Sequence, residues 1–112
     1  MPFIDCKISK ALTSEQKESI KTKLGGAVPI LHKPESYLMV GIADGYDLYF
    51  AGKKVEGAYV EVSLFGTVQS GDSEKMSAEI CNILKSVAGL DGSKIYITYH
   101  GVRDWGWNGG NF

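Results

Sequence analysis

The sequence predicts a single α/β (α+β) domain. Two β-α-β units would form a four-stranded sheet with both helices on one face. Three observations predict it. The chain has 112 residues, the size of one compact domain. Strand, capped helix and strand occupy the first half, about residues 2–56, and recur in the second, about 57–112. Ser14-Glu15 and Ser73-Glu74 stand at matching helix starts, and the strands at Tyr37 and Ile95 follow after similar connections. Parallel pairs of this kind need a crossover helix and take the right-handed path.

Each element has its own signal. Phe3 to Ile8 carries apolar residues at Phe3, Ile4, Cys6 and Ile8, partly alternating, and reads as a strand. Thr13-Ser14-Glu15-Gln16 is a capping box, with Thr13 as N-cap and Gln16 reaching back. Ile20, Leu24, Val28 and Leu31 continue as one helical stripe, weakened by Gly25-Gly26, bent at Pro29 and stopped by Pro34. Tyr37 to Ala43 is an unbroken apolar run and predicts a strand buried on both faces. Asp44-Gly45 is a turn, Leu48 to Phe50 a short strand closed by Gly52, and Lys53-Lys54 an exposed turn.

The second half repeats the plan. Ala58 to Gly66 alternates Tyr59, Glu61 and Ser63 against Val60, Val62 and Leu64. Ser70-Gly71-Asp72-Ser73 predicts a helix start capped by Asp72 or Ser73. Met76, Ile80, Ile83, Leu84 and Val87 give that helix its apolar face, and Gly89 its stop. Ile95 to Tyr99 is β-branched and aromatic, hence a strand, and the tail from Trp105 to Phe112 is aromatic and glycine-rich. One face of such a sheet lacks cover in a monomer. The apolar strands predict that it is buried against other subunits.

Composition excludes several classes. The net charge of −1 gives no basic field for nucleic acid or an anionic membrane. No apolar run approaches the ~18 residues of a membrane span, and no secretory signal opens the chain. Cytoplasmic residence is the expectation, with release independent of a signal peptide as the alternative. Cys6 and Cys81 are too few for a disulfide framework, and His32 and His100 lack metal-ligand spacing, so neither metal nor cofactor is expected. The glycines match no nucleotide-binding motif.

Pro2 is the residue with chemistry. A small second residue favours removal of Met1, which would leave a secondary amine at the terminus. An α-amino group titrates near ~7.7–8.0, so about one in seven is free base at pH 7. Burial or a neighbouring cation lowers that value and would make a general base of it.

With these residues in place, the chain resembles the macrophage migration inhibitory factor family of the tautomerase superfamily. The resemblance rests on Pro2 and the apolar strand after it, Lys33-Pro34 before Tyr37, Ser63-Leu64-Phe65-Gly66, Ile95-Tyr96-Ile97-Thr98-Tyr99, and Gly106-Trp107-Asn108. These motifs follow the family's order along the whole chain, with a C-terminal loop about two residues shorter. The resemblance implies a homotrimer whose sheets face inward and whose active sites lie at subunit boundaries. It implies cofactor-free keto–enol tautomerisation of a small aromatic 2-keto acid, of the phenylpyruvate or dopachrome type, with Pro2 as catalytic acid/base. Lys33 and the backbone N–H of Phe65 would hold the substrate carboxylate, Tyr96 of a neighbouring subunit would line the pocket, and Thr98 would stand where asparagine is common. Phe3, Tyr37, Leu64, Trp105 and Trp107 would line the pocket. Trp105 replaces a smaller residue of relatives, which would narrow the mouth.

Each role has a structural alternative. Lys33 at a helix C-terminus serves the dipole, Tyr96 packs in a strand, and Thr98 is a cross-strand partner. The rival reading of the whole chain is a cytokine-like protein that binds a cell-surface receptor. A third is the same fold acting on a halogenated or unsaturated acid, with Arg103 and Asp104 in a loop near the pocket. The Cys-x-x-Cys of some relatives is absent, with Gly57 and Val60 at those positions, so no thiol-redox role is carried over.

Overall fold

A computed structural model describes residues 1–112. The chain runs β1 (Pro2–Ile8), α1 (Ser14–Ala27), β2 (Met39–Ala43), β3 (Tyr49–Phe50), β4 (Lys53–Lys54), β5 (Ala58–Phe65), α2 (Ser70–Ala88), β6 (Ile95–Val102), β7 (Gly106–Trp107) and β8 (Gly110–Asn111). The main sheet has the order β2-β1-β5-β6. β1 pairs with β2 and β5 with β6 in parallel, while β1 and β5 meet antiparallel at the centre. Each half is thus one β-α-β unit, as the repeated plan predicts.

The core lies between the sheet and the two helices, which pack against each other. Pro2, Ile4, Cys6 and Ile8 of β1 and Ala58, Val60, Val62 and Leu64 of β5 are buried in strict alternation. Ile20 and Leu24 of α1 and Met76, Ile80, Ile83 and Leu84 of α2 close over them. Each such aliphatic side chain contributes roughly 1.5–3 kcal/mol of burial. Burial also pushes the Cys6 thiol up to about 12, so it behaves as a hydrophobe.

Thr13 caps α1 with the full capping box. The helix ends at Ala27, and Val28–Leu31, with Pro29 at its start, tightens into a 3₁₀ turn. That is the bend expected of a proline whose ring crowds the preceding turn. His32 then takes a left-handed conformation (φ 59°), which turns the chain and presents Lys33.

Four expectations are corrected. Tyr37 is not in a strand: Glu35–Tyr37 is a 3₁₀ turn after extended Pro34, closed by the Leu38 N–H on the Glu35 carbonyl. β2 is an edge strand with Met39 67% exposed, not a strand buried on both faces. α2 begins at Ser70 with Gln69 as N-cap, and Asp72 and Ser73 lie inside its first turn. Lys53-Lys54 pairs with Tyr49-Phe50 across Ala51 and Gly52, both at positive φ, the geometry that suits a two-residue hairpin.

The uncovered sheet face is not the apolar surface expected from the strands. Phe3 and Tyr96 stand on it, but its middle is polar. Lys7 Nζ bridges Asp5 at 3.0 Å and Glu61 at 3.2 Å. Tyr59 Oη lies 2.9 Å from Thr98 Oγ1, which lies 3.0 Å from His100 Nε2. The alternation that buries Val60 and Val62 sends Tyr59 and Glu61 to the opposite face.

Candidate active site at the N-terminal proline

Pro2 opens β1 at the end of the sheet, buried, in register with Leu64 of β5. Beside it lies a cavity of about 600 Å³. Phe3, Tyr37, Met39, Trp105 and Trp107 line it together with Pro2, and no charged side chain does. A second cavity of about 490 Å³ lies between the helices, lined by Lys23, Gly26, Glu79 and Asn82 and remote from the proline. Only the first combines aromatic walls with the chain's amino end.

The polar groups of the site meet at the terminus. The Phe65 N–H donates to the Met1 carbonyl at 3.1 Å. Lys33 Nζ donates to the Phe65 carbonyl at 3.1 Å. The Met1 amine is held below its usual pKa, first by burial and then by the Lys33 ammonium. Desolvation and like charge therefore act together on an amine at this position. While Met1 is attached, the Pro2 nitrogen is an amide without a basic lone pair, and the Phe65 N–H is occupied.

Lys33 follows the left-handed turn at His32. With His32, Leu64, Thr67 and Asp72 it lines a separate cavity of about 170 Å³, where His32 Nε2 lies 3.3 Å from Asp72 Oδ2. Leu64 was expected in the wall of the proline cavity. It is 2% exposed and belongs to the core, because β5 turns even-numbered side chains toward the helices.

One protomer does not bring Tyr96 and Thr98 to Pro2. Leu64, the register partner of Pro2, sits opposite Gly101 of β6, whereas Tyr96 sits opposite Tyr59. Five residues at ~3.3 Å each separate the two ends by roughly 17 Å. Tyr96 is 64% exposed there, its ring 5.5 Å from that of Phe50. Thr98 is engaged by Tyr59 and His100 on the open face.

Phe112 is the site-forming residue that sequence reasoning missed. Its ring stacks on Trp107 at 5.8 Å and lies 5.9 Å from Phe65 and 6.3 Å from Tyr37. The signal was the dipeptide Asn108-Gly109, whose two positive φ angles (52° and 83°) fold β7 onto β8 in a two-residue hairpin.

Comparison with known proteins identifies the family and matches the fold. The family model described as macrophage migration inhibitory factor matches residues 1–112. A macrophage migration inhibitory factor homolog of Trichuris trichiura is 31% identical over 85 residues, 74% of this chain and 75% of that protein. Among solved structures, Leishmania major MIF2 superposes with a TM-score of 0.95 at 27% identity, covering 100% of this chain and 97% of that one. The Toxoplasma gondii macrophage migration inhibitory factor superposes at 0.92 with 24% identity, over 98% and 99% of the two chains. The chain belongs to the macrophage migration inhibitory factor family.

Proposed function

We propose that the chain, once Met1 is removed, is a cofactor-free keto–enol tautomerase of small aromatic 2-keto acids. The observation that carries this reading is the Phe65 peptide, which donates to the Met1 carbonyl and accepts from the Lys33 ammonium, with Pro2 itself on an aromatic cavity that no charged side chain lines. Removing Met1 would free the Phe65 N–H for a carboxylate oxygen, with Lys33 adding charge. The Pro2 amine would take a proton from the carbon beside the keto group, breaking C–H and forming N–H. The electron pair shifts to the keto oxygen, which takes a proton from solvent water to give the enol, and the protonated Pro2 amine returns its proton to solvent. Burial and Lys33 would keep the amine unprotonated at neutral pH.

The same reading includes a homotrimer. Tyr96 and Thr98 would reach the Pro2 cavity of a neighbour, since they lie too far from their own. Supporting this, Tyr96, Tyr49 and Met39 are each more than 60% exposed, which leaves large side chains free for a partner to cover.

The test is Pro2→Gly in Met1-free protein, verified by intact mass. Phenylpyruvate tautomerisation should fall by about a hundredfold or more, the usual contribution of a positioned acid/base, with the oligomer unchanged in solution scattering. Full activity in that variant would remove the mechanism. A second reading, a cytokine-like ligand of a cell-surface receptor, is favoured by the name that the Trichuris relative carries. Surface-charge variants that keep turnover but lose cell binding would support it.

A further inference from the structure

We propose that Trp105 is the residue that makes the Pro2 cavity prefer aromatic to aliphatic 2-keto acids; the proposal rests on the tautomerase reading and deepens it. Of the aromatic rings on this cavity, most are already committed. Trp107 stacks on Phe112 at 5.8 Å and meets Tyr37 edge-on at 5.9 Å, so both of those rings have partners. The Phe3 ring lies over Gly41, against which its edge would touch any added side-chain carbon. Trp105 lines the same cavity, is half-buried, and takes part in no aromatic pair. Its indole is the largest ring on the cavity without an aromatic partner.

The backbone that carries the indole is fixed by the hairpin after it. The Phe112 N–H donates to the Trp105 carbonyl at 3.1 Å, one step beyond the β7–β8 ladder. The Asn108-Gly109 turn fixes the hairpin that makes this bond. A flat substrate that stacks on such a ring gains a contact that discriminates a phenyl from an isobutyl group of similar bulk.

The experiment compares Met1-free wild type, Trp105→Ala and Trp105→Phe. The readout is deuterium exchange at C3 of phenylpyruvate and of 4-methyl-2-oxopentanoate, followed by NMR. Trp105→Ala should lower kcat/KM for phenylpyruvate, mostly through KM, by about three- to tenfold more than for the aliphatic acid, the size of one aromatic contact beyond its burial. The aliphatic acid should lose only the burial that both acids share, and Trp105→Phe should recover most of the aromatic part. The pH profile should not move, since the base is untouched. Equal losses on both acids, or no loss on phenylpyruvate, would overturn the proposal. Calorimetric binding of 3-phenylpropionate against 4-methylpentanoate separates the two levels. If wild type exchanges neither keto acid yet prefers the phenyl ligand only when Trp105 is present, the selector stands and the tautomerase reading fails. If Trp105→Ala leaves that preference intact, the selector fails.

Discussion

Lys33 carries two separable effects, and each has its own measurement. As a cation facing the Phe65 peptide, it would hold a substrate carboxylate through a charge-assisted hydrogen bond, a contact of ~1.5–3 kcal/mol. Lys33→Ala should therefore lower kcat/KM for phenylpyruvate by roughly 10- to 100-fold, chiefly through KM. As a like charge, it depresses the amine at the chain's amino end. Its removal should raise the pKa of the Pro2 amine, so the acidic limb of the pH–rate profile should move to higher pH. A variant that weakens binding without moving that limb would show that burial alone tunes the amine. Neither effect was visible in Lys33 as a letter in the sequence. A cation after a helix is ordinary dipole compensation, and only the left-handed turn at His32 aims it at β5.

Local order along the chain decides which elements could be read directly. The capping box at Thr13 and the glycine stop at Gly89 are short-range signals, and both appear as expected. The run from Tyr37 to Ala43 misled because an apolar stretch does not distinguish an interior strand from an edge that another chain could cover. Asp44, just beyond that strand, offers an element-scale test. Its carboxylate accepts the Leu12 N–H at 2.8 Å and pairs with Lys17 at 3.1 Å, tying the end of β2 to the start of α1. The Leu12 hydrogen bond first, and the Lys17 contact second, hold its pKa below the usual carboxylate value. A depressed folded-state pKa gives stability that is present above the unfolded value and disappears as pH falls through the folded one. The urea midpoint should thus decline below about pH 4, and less steeply in Asp44→Asn, which keeps an acceptor for Leu12 but has no charge to lose. Parallel curves for the two proteins would place the acid sensitivity elsewhere.

The assembled molecule is where sequence and single protomer both stop short. Alternation shows that Asp5, Lys7, Glu61 and Thr98 turn away from the core, yet it does not say what they meet. A face crossed by Lys7–Asp5 and Lys7–Glu61 pairs suits a wet, ion-paired interior better than a dry seam. The expected trimer would then draw its contact energy from exposed rims such as Met39, Tyr49 and Tyr96, with the charged middle left hydrated. This arrangement makes a sharp prediction, because Pro2 and Tyr96 of one chain are separated along the sheet. If each site takes its proline from one subunit and Tyr96 from the next, two defective variants can repair each other. Pro2→Gly and Tyr96→Ala, each made alone, should have little phenylpyruvate turnover, about tenfold or more below wild type. Unfolded together in equal amounts and refolded, random trimers would pair an intact Pro2 with an intact Tyr96 in about one site in four, given a closed ring of heterologous contacts. Activity should rise to roughly a quarter of wild type and should not rise when folded trimers are merely mixed. Were the sites formed within single chains, refolding the mixture would give only the average of the two weak variants, because no polypeptide would carry both intact residues.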